Sequence, residues 1–239
     1  MSKIIALLSS DKKGGATTIA FNLANILKGE DKKVLIINNE FESSYTKILD
    51  INAKDIKTTG TIYPLVFAKY KKNVQILFLK NPLTQINNLK LDYQKILTAQ
   101  AKQWKDLFDY VIFDTNYTWK KLSNIALQFA SSVIAVYDIN HYTTTDLTNT
   151  VKDIRMNQLT NSKLKLSGIV LNNFIRDDNN HLAALLNIDK ILYKQQNVIT
   201  LPFVNELVKV SDKSLSYTNS IQWSDYAMEL SKIAKLLKA

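Results

Sequence analysis

Residues 4–24 join an apolar strand, a glycine-containing loop and an amphipathic helix, and this order constrains the fold more than any other feature of the chain. The run Lys3–Ser9 suits a buried strand, Gly14 and Gly15 permit a tight turn, and apolar residues then recur at helical spacing. Such a turn can wrap backbone N–H groups around an anion at the positive end of a helix. The segment therefore predicts an α/β protein with a phosphate-binding loop.

Apolar runs alternate with helical patterns along the rest of the chain. Continuous apolar runs are typical of strands that are buried on both faces of a parallel sheet. We therefore expect a doubly wound, mostly parallel sheet with helices on both faces, forming one domain over residues 1–239. The predicted strands are Lys3–Ser9, Lys33–Asn38, Val74–Leu79, Asp109–Asp114, Ser132–Tyr137, Leu166–Asn172 and Val198–Leu201, and the predicted helices are Thr17–Lys28, Tyr93–Leu107, Ser123–Ala130, Thr144–Met156, Leu182–Gln195 and Ser224–Leu237.

Polar residues cluster where four of the predicted strands end. Because ligands of such sheets bind outside the carboxyl ends of the strands, these segments should meet at one edge. Four converging segments are stronger support for a binding site than any one motif. The segments are Asp11–Thr18, Asn38–Glu42, Asp114–Asn116 and Asn172–Asn173.

The charge balance indicates an anionic partner. The chain has 31 Lys and Arg residues against 21 Asp and Glu residues, a net charge of +10, and only Arg155 and Arg176 are arginines. Lysine suits diffuse attraction to a phosphate backbone better than bidentate recognition of bases. The expected partners are non-specific DNA, a lipid surface or an acidic protein. A lysine-rich composition that only favours solubility is the alternative.

Several classes of protein are excluded by composition. The chain has no cysteine, which excludes disulfides and thiolate metal sites, and His141 and His181 lack metal-ligand spacing. The first apolar run ends at Leu8 before charged residues and glycine, unlike a signal peptide. No apolar run approaches the roughly 18–20 residues of a membrane span. We expect a cytoplasmic protein.

Six segments resemble the ParA/MinD family of deviant Walker-type P-loop ATPases, which position plasmids, chromosomes, division machinery and pili. The family's loop reads K-G-G-x-G-K-T-T, and here a gapless match reads D-K-K-G-G-A-T-T. The resemblance covers nearly the whole chain. The matching segments are Asp11–Thr18, Asn22–Ala24, Asn38–Glu42, Val111–Tyr117, Gly168–Asn172 and Leu201–Phe203.

The resemblance implies ATP and Mg²⁺ as ligands and a homodimer that acts on DNA or on a partner protein of a partition or localisation machinery. It places Glu40 and Asp114 in catalysis, and Thr17 and Asp114 at the metal. The implied nucleotide-binding residues are Lys12, Lys13, Gly14, Gly15, Ala16, Thr17, Thr18, Asn172 and Pro202, and the implied DNA-binding residues are Lys209, Lys213, Lys232 and Lys235.

The chain departs from the family pattern where the family's charged residues should lie. Ala16 replaces the lysine that would hold the β- and γ-phosphates, and Asp11 replaces the signature lysine that reaches across an ATP-bridged dimer. Asn38 replaces an aspartate that supports the Mg²⁺ site. The Gly-Ala-Thr-Thr ending also resembles the atypical loops of the TadZ/CpaE pilus-localisation branch. Lys12 or Lys13 could supply the missing cation only if the loop turned differently.

These departures weaken the expected chemistry. Losing one partner of a desolvated charge pair costs roughly 3–5 kcal/mol, or about two to three and a half decades in affinity or rate. Phosphoryl transfer depends on positioning and charge neutralisation, so we expect hydrolysis to be weak or absent. The loop then binds nucleotide weakly, or is only a tight turn. We expect a ParA-like partition or positioning protein; the alternatives are a non-catalytic scaffold (pseudo-ATPase) that recruits a pilus, secretion or other assembly, and an active ATPase with a rearranged loop.

Overall fold

Nine strands form one sheet in the computed structural model of the chain, which describes residues 2–9, 14–28, 31–38, 56–59, 65–71, 73–79, 93–115, 120–192, 197–202 and 221–238. Their order across the sheet is β3-β4-β5-β2-β6-β1-β7-β8-β9. The strands are β1 Lys3–Ser9, β2 Val34–Asn38, β3 Ile56–Thr59, β4 Leu65–Lys71, β5 Val74–Leu79, β6 Tyr110–Thr115, β7 Ser132–Asp138, β8 Lys165–Phe174 and β9 Val198–Pro202.

Seven neighbouring strands, from β5 to β9 across the sheet, are parallel, which confirms the predicted fold class. Two further strands, β4 and β3, extend the sheet beyond β5 as antiparallel neighbours. The strands predicted from the sequence include neither β3 nor β4. β3 reads I-K-T-T, without an apolar run, and β4 reads L-V-F-A-K-Y-K, an apolar run followed by a polar end.

Six helices of the described ranges cover the two faces of the sheet. The first and last pack on one face, and the other four pack on the opposite face. None of these helices has the length and apolar character that a bilayer span requires. The helices are α1 Ala16–Leu27, α2 Tyr93–Leu107, α3 Lys120–Phe129, α4 Thr144–Gln158, α5 Asn179–Ile191 and α6 Ile221–Lys238.

The sequence dictates this layering through side-chain alternation. Ile5 and Leu7 of β1 pack against α1 and α6, while Ile4 and Ala6 point to the opposite face. Residues 34–37 of β2 are fully buried, as their continuous apolar run predicts. Each such Leu or Ile side chain stabilises the fold by roughly 1.5–3 kcal/mol through burial. The central strands are therefore rigid supports for whatever lies at their ends.

The strand register brings the polar strand ends to one edge. Asn38 at the end of β2 lies opposite Asp114 on β6, and Asp138 at the end of β7 lies opposite Asn172 on β8. The loop after β1 leads into α1 at the same edge, because Leu8 lies opposite Thr115. This edge holds the candidate site.

Candidate functional site

The loop between β1 and α1 ends at Gly15, whose backbone is left-handed with φ +84°. Glycine adopts this conformation without steric strain. Its carbonyl accepts the first hydrogen bond of α1, from the N–H of Ile19 at 2.9 Å. The first N–H groups of a helix have no partner within the helix, and Gly15 offers no side chain to cap them. These N–H groups are suited to bind an anion.

Asn172, near the end of β8, supports this loop from the side. Its Nδ2 donates to the carbonyl oxygen of Gly14 at 3.2 Å, and a Cβ on residue 15 would clash with the same amide. Asn172 is predicted to bind nucleotide, but sequence reasoning missed this contact with the loop. A polar residue at a strand end gives no signal of which neighbour its amide will meet. The close approach explains why residue 15 is glycine on steric as well as conformational grounds.

The buried centre of the site is a carboxylate held by two polar neighbours. Asn38 Nδ2 donates to Asp114 Oδ2 at 2.6 Å, and both side chains are fully buried. Burial raises the pKa of Asp114 to about 6, although hydrogen bonding from Thr17 and Asn38 acts in the opposite direction. The second oxygen, Asp114 Oδ1, is buried and accepts no hydrogen bond. An unsatisfied buried carboxylate oxygen is costly unless a cation or donor approaches it.

Ala16 occupies the first position of α1 and contributes no charge. Its methyl group is 5% exposed and belongs to the apolar cluster beneath α1. The next turn is ordered by Asn22, a residue of the family's N-L-A segment, whose Nδ2 donates to the carbonyl of Thr18 at 2.9 Å. The loop end therefore keeps its backbone shape while position 16 lacks the phosphate-binding cation of the family pattern.

A second polar cluster at the same edge contains Asn173, which the sequence predicted to lie there, and Asp138 and Asn140, which it did not. Asp138 Oδ1 accepts from the backbone and side-chain nitrogens of Asn140, each at 3.0 Å, and Oδ2 accepts from Asn173 Nδ2 at 3.0 Å. Asn173 itself has a left-handed backbone, with φ +62°. The predicted strand ended at Tyr137, one residue before Asp138, the last residue of β7. The sequence signal for this cluster was Asp138, a carboxylate that directly follows a buried apolar run.

The other residues predicted to bind nucleotide or DNA lie on different elements from the loop–helix junction or outside the described residues. Pro202 ends β9 opposite Phe174 of β8. On α6, Lys232 pairs with Glu229 at 2.6 Å, and Lys235 is exposed. Both lysines lie on α6, which packs on β9 and α1. Five predicted residues lie outside the described part of the chain: Lys12, Lys13, Glu40, Lys209 and Lys213.

This donor set fits a magnesium ion. A carboxylate oxygen and a threonine hydroxyl are hard oxygen ligands of the kind that Mg²⁺ takes, and Asp114 Oδ1 is available beside Thr17. The N-terminal N–H groups of α1 fit a phosphate group. The arrangement can therefore hold a metal-bound phosphate, with one cation fewer than the family pattern at position 16.

The parallel sheet, the loop–helix junction after β1 and the buried aspartate on β6 define a P-loop NTPase-like α/β fold. A family model described as an AAA domain matches residues 2–166, more than half of the chain, and the chain belongs to this family. With the structural neighbours below, this match confirms the resemblance to the ParA/MinD P-loop ATPases. Among curated proteins, none matches the sequence.

Solved structures share the whole fold at low sequence identity. An ATP complex of a variant McdA from Cyanothece has a TM-score of 0.77 and 16% identity, covering 99% of this chain and 96% of that chain. A putative plasmid partition protein from Borrelia burgdorferi B31 bound to AMPPNP has a TM-score of 0.69 and 17% identity, with coverages of 99% and 98%. The septum site-determining protein MinD from Pyrococcus horikoshii OT3, complexed with Mg-ADP, has a TM-score of 0.68 and 17% identity, with coverages of 98% and 96%.

Proposed function

We propose that this chain is a ParA/MinD-like positioning or partition protein that binds Mg²⁺-ATP weakly and hydrolyses it slowly or not at all. The observation that carries the proposal is the pairing of an unsatisfied, buried Asp114 Oδ1 beside Thr17 with an uncharged Ala16 one residue before. The first feature supports a retained metal site. The second supports a weakened phosphate site.

Each residue of the site has a distinct role in this proposal. Thr17 and Asp114 would hold Mg²⁺, which when bound supplies positive charge to the phosphates. The N–H groups at the start of α1 orient the phosphates, since the helix end carries partial positive charge. Asn172 positions the loop by its contact with Gly14 and Gly15. Asn38 holds Asp114 in place through a neutral amide.

Hydrolysis is the step that suffers most from the absent lysine. A phosphoryl group in transfer needs charge stabilisation that backbone N–H groups supply only in part. The loss of one desolvated cation costs roughly 3–5 kcal/mol, so turnover should fall by about two to three and a half decades relative to a complete site. In this proposal, ATP therefore acts mainly as a bound ligand that favours one conformation of the protein, and turnover is a minor activity.

The positioning role rests on fold and charge. Two proteins of similar structure are a putative plasmid partition protein and a septum site-determining protein. The net charge of +10 supports attraction to DNA or to an acidic localised partner. We propose that a dimer of this chain carries out that binding, with Lys209, Lys213, Lys232 and Lys235 as the DNA-facing cations. A steep fall of DNA affinity with salt is expected, and salt-independent binding would contradict it.

The decisive test is calorimetric titration of ATP with Mg²⁺ into the wild-type protein, Ala16→Lys and Ala16→Met. Lysine should tighten binding by at least about tenfold because it restores a charge partner to the phosphates. Methionine controls for the added length in a buried position, and it should leave affinity unchanged. Equal affinity of all three proteins would show that no phosphate lies near position 16. Thermal unfolding of each variant separates lost binding from lost folding.

A second candidate function is a non-catalytic scaffold that recruits an assembly without using nucleotide. The burial of the Ala16 methyl group in an apolar cluster favours it, because a position that meets no phosphate is free to join the core. For this function, binding to DNA or to the partner is unchanged by ATP and Mg²⁺. An active ATPase would instead show Mg²⁺-dependent turnover that Glu40→Ala and Asp114→Ala abolish.

A further inference from the structure

A groove of about 670 Å³ lies far from the nucleotide edge, between the second half of α4, the start of β8 and the end of α5. Its walls are largely aliphatic: Val151, Ile154, Met156, Leu166, Ile191 and Leu192. The groove adjoins Lys165 at the start of β8, whereas Asn172 contacts the loop seven residues further on. At roughly 3.3 Å per residue, this places them about 23 Å apart. The groove is therefore separate from the proposed ATP site.

Three cations line this groove. They are Lys152, Arg155 and Lys165, and among the described residues that line the groove none is acidic. Within the described ranges, none of the three side chains forms an ion pair. Burial and then the charge of Lys165 lower the pKa of Lys3, which shows that Lys165 adds to a cationic neighbourhood. The groove therefore attracts a negatively charged occupant.

Two exposed apolar side chains lie at the C-terminal end of α4, the helix that forms one wall of the groove: Met156, which lines it, and Leu159. Met156 is 59% exposed, and Leu159, on the turn directly after α4, is 80% exposed, the largest fraction among the exposed large apolar residues of the described chain. Neighbouring apolar groups left in water at the mouth of a groove mark an interaction surface. Duplex DNA offers no apolar face to match such walls.

Side-chain hydrogen bonds join the elements that form the groove. Gln158 Nε2 donates to the carbonyl of Leu164 at 2.9 Å, which ties the end of α4 to the residue before β8. Asn161 Nδ2 donates to the carbonyls of Leu127 and Ala130, which ties the same turn to the end of α3. A preformed surface loses little conformational entropy when a partner binds.

We propose that this groove docks an acidic amphipathic helix of a partner protein. The apolar face of the helix would cover the aliphatic walls, including Met156 and Leu159, while its carboxylates would meet Lys152, Arg155 and Lys165. This is helix-in-groove recognition with charge complementarity. The proposal does not depend on the proposed nucleotide chemistry, because the groove and the loop–helix junction lie at opposite ends of β8.

The test uses a fluorescein-labelled amphipathic peptide with leucines at helical i, i+3, i+4 and i+7 positions and glutamates elsewhere. Fluorescence anisotropy should show saturable binding to the full chain. Arg155→Glu should weaken it by at least about tenfold, because attraction becomes repulsion within the groove. Lys238→Glu makes the same charge change at an exposed position of α6, on the opposite face of the sheet, and should have no effect on peptide binding. The double variant Met156→Gln with Leu159→Gln tests the apolar contribution at exposed positions and should also weaken binding.

Two further measurements locate the site. Hydrogen exchange should show peptide-dependent protection in α4 and at the start of β8. A peptide of the same composition without helical periodicity should bind far more weakly. Equal binding of both peptides, an unchanged affinity of Arg155→Glu, or binding of duplex DNA alone through Arg155 would each overturn the proposal. Because peptide binding should not change with ATP and Mg²⁺, these results are independent of the calorimetric test at position 16.

Discussion

Asn38 and Asp114 join the ends of two neighbouring parallel strands by a 2.6 Å hydrogen bond between fully buried side chains. The amide satisfies Oδ2 of the carboxylate and leaves Oδ1 without a hydrogen bond. A negative charge at Asp114 is therefore only partly stabilised by its protein neighbours. Three properties of Asp114 are therefore linked: its protonation state, the free energy that its burial costs in folding, and its capacity to bind a cation. Each of them can be measured separately.

Asp114→Asn should stabilise the metal-free protein above about pH 6. The pKa of Asp114 is raised from 3.8 to about 6, so the folded state holds this proton more tightly than the unfolded chain does. Wild-type stability should therefore fall as the pH rises from about 4 to about 6, and the variant should escape that loss. The expected gain at neutral pH is at most about 3 kcal/mol, and it vanishes below about pH 4.

Urea unfolding at a series of pH values, with a chelator present, measures this difference directly. Asp106→Asn, at an exposed carboxylate of α2, is the matched control. If the free energies of unfolding of the two variants differ from that of the wild type by the same amount at every pH, burial does not govern the titration of Asp114.

Asn38→Asp should destabilise the protein in the absence of metal and make it responsive to Mg²⁺. The change places a second carboxylate against Asp114 in a buried site, and an uncompensated buried charge costs about 3–5 kcal/mol. A divalent cation between the two carboxylates should restore much of this loss. Thermal unfolding with and without Mg²⁺ reports it, with Asn38→Ala as the control that removes the hydrogen bond without adding charge. A stability deficit of Asn38→Asp that Mg²⁺ leaves unchanged would contradict a metal site here.

Gly15→Ala should lower stability through two separable effects. A left-handed backbone costs a non-glycine residue about 1–2 kcal/mol, and the new Cβ would also clash with the amide of Asn172. Asn172→Ala removes the clash but not the backbone strain, so the double variant should recover part of the loss. A double-mutant cycle of unfolding free energies gives the coupling between the two positions. Strictly additive effects would show that the two residues do not touch.

The fold was largely predictable because its strands are buried on both faces. Continuous apolar runs such as residues 34–37 are typical of strands inside a parallel sheet, and the residues that follow such strands meet at one edge. The antiparallel strands β3 and β4 were not predicted: β3 reads I-K-T-T and lacks such a run, and β4 opens with the run L-V-F-A but ends in the polar K-Y-K. Burial and periodicity identify core elements well, and they say little about strands added at the margin of a sheet.

The site was predictable as a set of positions and not as a set of contacts. Thr17, Asn38 and Asp114 follow from the loop and strand ends, yet the sequence does not reveal that Asn38 bonds to Asp114 while one carboxylate oxygen stays unsatisfied. The contact of Asn172 with Gly14 likewise depends on the width of the sheet between β1 and β8. Cross-strand geometry of this kind has no short-range sequence signal.

Asn161→Ala should destabilise the protein by about 1–3 kcal/mol, because two backbone carbonyls lose their shared donor and one side-chain amide holds two elements together. Asn161 Nδ2 lies 2.9 Å from the carbonyl of Leu127 and 2.7 Å from that of Ala130. Asn157→Ala is the matched control, since the amide of Asn157 bonds only to the carbonyl of Asp153 within the same helix.

Differential scanning calorimetry should show a lower melting temperature for Asn161→Ala, by roughly 2–4 °C for each kcal/mol lost in a chain of this size. Asn157→Ala should stay within about 0.5 kcal/mol of wild type, as is usual for surface substitutions. Equal melting temperatures of the two variants would mean that the turn after α4 is held by its apolar contacts and not by the amide of Asn161. The groove would then be held by the hydrogen bond from Gln158 to the carbonyl of Leu164 and by packing, without a contribution from Asn161.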